Sequence, residues 1–129
     1  MIAIDANAVV AMLIDDAELG SASRGIYAEH DLVAPDLLPY ELASVLRKLC
    51  RLGTITPRVA EHALSDLRLI RLSAVPFDDI AGRIWQLRDN LSAYDAAYVA
   101  VAELFDVSLL TFDDRIRRAA GPSCEFVDV

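Results

Sequence analysis

Short apolar runs alternate along the chain with longer segments whose apolar positions recur every three or four residues. The runs are Met1 to Ile4, Asp31-Leu32-Val33-Ala34-Pro35, Ile70 to Val75, Val107 to Thr111 and Phe126 to Val129, and their length and content predict five β-strands. Helical spacing occupies Ala6 to Ile14, Ser21 to Glu29, Asp36 to Leu52, Pro57 to Leu69, Asp78 to Asn90, Ala93 to Phe105 and Asp114 to Ala119. Parallel strands need crossovers of this kind and are covered on both faces by them. The expected fold class is therefore α/β, a three-layer α/β/α arrangement around a central, mostly parallel, five-stranded sheet. Gly53, Pro57 and Pro76 punctuate element ends, and no linker, repeat or low-complexity tract interrupts the pattern. A single domain, residues 1–129, is expected, since a chain of this size folds around one core.

Composition narrows the setting. With 55% hydrophobic and 25% charged residues the chain reads as globular. The longest apolar candidate for a membrane span, Ala96 to Ala102, is broken by Glu103, well short of the roughly 20 residues a bilayer demands. The start, Met1-Ile2-Ala3-Ile4-Asp5, has no basic segment and an acid where a signal peptide is apolar, so a cytoplasmic location is expected. Cys50 and Cys124 lack metal-ligand spacing and are expected to be free structural thiols. His30 and His62 share no motif with them, which argues against zinc.

Four acids do not fit their surroundings. Asp5 closes the first strand, and ligands collect at the carboxyl ends of strands in open α/β sheets; the same position suits an N-cap for the helix from Ala6. Glu41 falls among Leu38, Leu42, Val45, Leu46 and Leu49, on the side of its helix that should be buried. A carboxylate there is costly unless its charge is compensated, or unless it reaches solvent at the edge of the stripe. Asp95 ends Ser92-Ala93-Tyr94-Asp95, a capping-box pattern, ahead of a helix that is apolar all round; there it is either a site residue or a complement to the helix dipole. Asp113 leaves the run Leu109-Leu110-Thr111 and reads either as a cap or as a site residue, with Asp114 beside it. Asp78 and Asp79, before Ile80, look like a similar helix start and read only as caps.

What joins the four is their equivalent place, at strand exits or in first turns of helices, with separations of 36 (5 to 41), 54 (41 to 95) and 18 (95 to 113). Two carboxylates about 5 Å apart repel by roughly 3 kcal/mol at an effective dielectric of 20. Such a cluster implies a metal, and all-oxygen ligands select Mg²⁺, or Mn²⁺ in its place, over zinc or copper. The net charge of −8 argues against a nucleic-acid partner. That objection weakens if four carboxylates hold two divalent cations, which leaves the site itself without net charge.

At these residues the sequence resembles the PIN-domain family, and within it the short VapC-type toxin branch. The resemblance spans the whole chain and rests on Ile2-Ala3-Ile4-Asp5-Ala6-Asn7, Pro39-Tyr40-Glu41-Leu42-Ala43-Ser44-Val45-Leu46, Leu91-Ser92-Ala93-Tyr94-Asp95-Ala96-Ala97-Tyr98-Val99-Ala100 and Leu109-Leu110-Thr111-Phe112-Asp113. It implies that Asp5, Glu41, Asp95 and Asp113 are the catalytic, metal-binding quartet. Asn7 stands where the family often has Ser or Thr holding solvent near the metal, a role its amide can also fill. The Asp113-Asp114 doublet leaves open whether the neighbour shares the task. The resemblance further implies an endoribonuclease that hydrolyses RNA to 5′-phosphate and 3′-hydroxyl ends, with one or two ions bound and no side-chain nucleophile. It also implies a toxin–antitoxin pair, with a VapB-like antitoxin and a homodimer as partners and no membrane.

Arg47, Lys48 and Arg51 on one helix, and Arg115, Arg117 and Arg118 after Asp113, are the basic residues placed to follow an RNA backbone. The second set is preferred because it adjoins an acid of the quartet. Val9, Val10, Leu13 and Ile14 are assigned to the core, with an antitoxin groove as the other option. A receiver-type signalling domain would need a lysine at the end of its last strand, whereas Lys48, the only lysine, lies mid-helix. A phosphatase with an aspartyl nucleophile would want an acid where Asn7 stands. The remaining alternative is a catalytically idle PIN-fold module that binds RNA or protein.

Overall fold

The structure is a computed structural model describing residues 1–129. It contains four strands, β1 (Ile2–Ile4), β2 (Leu32–Pro35), β3 (Leu72–Val75) and β4 (Leu109–Leu110), in the order β3-β2-β1-β4. Every pairing is parallel, with Ala3 opposite both Val33 and Leu109. The α/β class and parallel sheet are as the hydrophobic pattern predicts, but the sheet has four strands rather than five. Phe126 makes only an isolated parallel bridge to Leu109, fixed by the Leu109 N–H on Glu125 O and the Val127 N–H on Leu109 O. The reason lies in β4, which is two residues long because the chain leaves the sheet at Thr111 to cap the next helix. So short an edge has no further ladder to offer the terminal segment.

The helices are α1 (Ala6–Ile14), α2 (Glu18–Glu29), α3 (Leu38–Arg51), α4 (Pro57–Leu67), α5 (Phe77–Gln86), α6 (Ala93–Phe105) and α7 (Asp114–Arg118). Their starts follow local chemistry. Pro57 occupies the first turn of α4, where its missing N–H costs nothing, and the Thr56 hydroxyl accepts from the Val59 N–H at 3.2 Å. Asp78 and Asp79 sit in the first turn of α5 but cap nothing, the N-cap being Pro76.

From β1 the chain steps outward to β2 and β3, then returns to place β4 on the other side of β1. With right-handed crossovers, this reversal puts α1 to α4 on one face and α5 and α6 on the other. Contacts agree, since α1 packs on α2, α3 and α4 while α6 packs on α5 and the central strands. The switch point falls between the carboxyl ends of β1 and β4, where ligands bind in sheets of this kind.

A core of 29 buried residues holds the layers together, and Ala96 to Ala102 of α6 are all part of it. Four alanines in that stretch let α6 approach the sheet closely. On the opposite face, α2 turns back on α1 at Gly20, where an added Cβ would lie 1.9 Å from the Asp15 carbonyl oxygen and 2.6 Å from that of Ala11. Arg24 completes the corner by donating to the carbonyls of Met12 at 3.1 Å and Asp15 at 2.8 Å, satisfying the open end of α1.

Candidate active site

Asp5 leaves β1 and caps α1, its Oδ1 accepting from the Ala8 N–H at 2.8 Å. Its other oxygen, Oδ2, accepts a hydrogen bond from the Thr111 hydroxyl at the end of the neighbouring strand. The cap reading is met, and the cap coincides with the strand exit. Only 4% of Asp5 is exposed. Burial pushes its carboxyl up to about 6, against the two hydrogen bonds that lower it, and the nearby charges of Asp113 and Asp95 add to the rise.

Thr111 Oγ1 also accepts the Asp113 N–H at 3.1 Å, so one hydroxyl positions two acids. Asp113 in turn caps α7. Its carboxylate takes the Arg115 main-chain N–H at 2.9 Å and the Arg115 guanidinium at 3.1 Å (Nε) and 2.7 Å (Nη2). That guanidinium holds the Asp113 carboxyl below the usual carboxylate range.

Asp95 is half-buried in the first turn of α6, its N–H bonded to the Ser92 hydroxyl at 3.1 Å as the capping pattern predicts. One turn on, Tyr98 is buried in the core and points its hydroxyl at Glu41 of α3, donating to Oε1 at 2.6 Å. Burial, and then the Glu41 carboxylate, keep the Tyr98 phenol protonated far above its ordinary range. Glu41 is half-buried rather than buried, so the edge of its apolar stripe opens onto a cavity instead of the core.

That cavity, about 480 Å³ in volume, is lined by Asp5, Glu41, Asp95 and Asp113 together. The four acids come from four different elements and meet at the β1/β4 switch point, as their spacing suggested. Asn7 lines the cavity as well, and Asp114 does not. The carboxylates face a shared space without closing into a compact set of three or more ligands. Every side chain of the quartet offers oxygen, with no histidine or cysteine on the wall, a donor set that suits a hard divalent cation.

The basic residues take different places around the site. Lys48 lines the cavity two turns beyond Glu41, while Arg47 and Arg51 lie on the exposed side of α3. Arg115 is paired with Asp113, and Arg117 donates to the carbonyls of Thr111 and Val127 while lying over the Phe126 ring at 5.4 Å. Arg118 is exposed beyond them. Cys50 and Cys124 are unpaired, as expected. No helix is long and apolar enough to cross a membrane.

Thr111 and Tyr98 are the residues that sequence reasoning did not assign to the site. Tyr98 carried a usable signal, being a tyrosine in an otherwise apolar, buried helix, where its hydroxyl requires a partner.

Comparisons with known proteins agree with this architecture. The family model described as PIN domain matches residues 2–122. Ribonuclease VapC9 of Mycobacterium tuberculosis is 36% identical over 124 residues, which is 96% of this chain and 94% of that protein. Among solved structures, M. tuberculosis VapC20, described as a sarcin-ricin loop cleaving toxin, superposes with a TM-score of 0.73 at 19% identity, covering 100% of this chain and 98% of the other. VapBC2 from Rickettsia felis, bound to a DNA fragment from its promoter, gives 0.69 at 14% identity over 98% of both chains. The matched model spans all four acid-bearing motifs, and the relatives match nearly end to end. The chain belongs to the PIN domain family, in its VapC-type branch.

Proposed function

We propose that the chain is a divalent-metal-dependent endoribonuclease and the toxin of a toxin–antitoxin pair. The observation that carries this reading is the convergence of Asp5, Glu41, Asp95 and Asp113 on one cavity at the sheet's switch point, in a chain similar to proteins named as ribonucleases. The donors fit Mg²⁺, with Mn²⁺ as a substitute, because they are all hard oxygens. The raised Asp5 carboxyl points the same way, since a buried acid among like charges is relieved by a cation.

When bound, the ion supplies Lewis-acid stabilisation of a phosphodiester and lowers the pKa of a coordinated water. The chain's residues do the rest by position. Thr111 and the Ala8 N–H hold the Asp5 carboxylate, and Tyr98 holds that of Glu41. Asn7 lines the cavity with an amide, and Lys48 of α3 lines it with a basic side chain suited to an RNA phosphate. A VapB-like antitoxin is the expected protein partner, in line with the R. felis VapBC2 assembly. A homodimer and a cytoplasmic location complete the proposal.

The test is cleavage of total cellular RNA with Mg²⁺, with and without chelator, followed by mapping of fragment ends. The reading expects chelator-sensitive cleavage leaving 5′-phosphates, abolished by Asp5→Asn. RNA binding without cleavage by the wild type would identify the idle module instead.

A further inference from the structure

Of the six basic side chains considered above, only the Arg115 guanidinium touches an acid of the cavity. It grips both carboxylate oxygens of Asp113, with Nε on Oδ1 and Nη2 on Oδ2. The Arg115 side chain is 82% exposed while that of Asp113 is 19% exposed, so the arginine reaches the carboxylate from the solvent side. Arg117, by contrast, is spent on the Thr111 and Val127 carbonyls and braces the C-terminal segment.

We propose that Arg115 is a built-in counter-ion of the acidic cavity, displaced from Asp113 when a divalent cation binds and thereby freed to grip a phosphate of the RNA strand. The inference rests on the reading of the cavity as a metal site given above.

Three features make the exchange feasible. Asp113 keeps its cap bond to the Arg115 main-chain N–H whatever the side chain does, so α7 need not unravel. The pair is bidentate, but the Arg115 side chain is 82% exposed, so on leaving Asp113 the guanidinium passes into water rather than into a buried void. The freed fork then stands beside the cavity, with the two parallel N–H donors that suit a phosphate.

The two halves of the exchange predict changes of opposite sign in one variant. Arg115→Met keeps the aliphatic stem and removes the charge. Titrated by calorimetry, it should bind Mn²⁺ about two- to fivefold more tightly than the wild type, the range expected for removing an exposed competing ion pair. At saturating Mn²⁺ it should bind a fluorescent 2′-O-methyl oligonucleotide more weakly, with the slope of log affinity against log salt reduced in magnitude by about one. Arg115→Lys, which retains charge without the fork, should fall between the two proteins in Mn²⁺ and oligonucleotide affinity while keeping the wild-type salt slope, and urea unfolding confirms that each variant is folded.

Equal Mn²⁺ affinity in wild type and Arg115→Met would overturn the proposal, as would an unchanged salt slope; either pattern alongside lowered stability would leave Arg115 as a fixture of α7. If neither protein binds Mn²⁺, the metal-site reading itself fails and the exchange falls with it.

Discussion

The Thr111 hydroxyl donates to the Asp5 carboxylate across 106 residues of sequence, joining the carboxyl ends of β4 and β1. This bond holds the Asp5 carboxylate where it lines the cavity, and it is one of two that keep a buried acid from rising still further in pKa. Without them, burial and the neighbouring acids would act on Asp5 unopposed.

Asp5 therefore sets a pH dependence of stability. Its carboxyl stands at about 6 in the folded chain against an ordinary 3.8, so the native state holds its proton more tightly than the unfolded one. Well below 3.8, Asp5 carries its proton in both states and costs nothing; the cost builds as pH rises from there to about 6, where the unfolded chain has lost the proton and the folded chain still holds it, and is complete above about 6. Asp5→Asn keeps the cap and removes the charge. In the absence of metal, urea unfolding should find the variant more stable than the wild type by up to about 3 kcal/mol near pH 7.5, the two converging as pH falls below 3.8. A constant difference across that range would contradict the assignment.

Tyr98 is expected to act through Glu41. Tyr98→Phe preserves the packing of α6 and deletes one donor, so stability should change by no more than about 1 kcal/mol. Mn²⁺ affinity should fall by about tenfold, the lower end for loss of a group that orients a ligand. An unchanged affinity would reduce the tyrosine to a core residue.

The α1/α2 corner predicts a contrast within one helix. Gly20→Ala drives a methyl into the Asp15 carbonyl and should destabilise by about 1–3 kcal/mol. Gly25→Ala, where nothing lies within 4 Å of the new Cβ, should stabilise by up to about 1 kcal/mol. Urea midpoints of the two variants on the same side of the wild type would count against the close approach.

The parts of this structure written in local sequence were legible before it was seen. Helices α1 and α6 begin and end where the apolar pattern places them, because Asp5 and Ser92 cap their starts and the flanking residues break the pattern. Glu41 announced itself as a carboxylate on an apolar stripe. What local pattern does not contain is pairing partners: the segment from Phe126 reads as a strand, and only the shortness of β4 limits it to one bridge. The same holds for polar contacts. The bond from Thr111 to Asp5, the bond from Tyr98 to Glu41 and the grip of Arg115 on Asp113 each depend on where elements meet or which way a side chain turns. Proximity in sequence favoured Arg115, Arg117 and Arg118 over Lys48, yet it is Lys48 that lines the cavity.

The central claim is that the four carboxylates hold a divalent cation. Its most direct test is a calorimetric titration of Mn²⁺ into the wild type and into Asp95→Asn, which needs no knowledge of the RNA. The account predicts saturable binding by the wild type that weakens at least tenfold in the variant, a loss of about 1.4 kcal/mol. Equal binding by both proteins, or none by either, would contradict it.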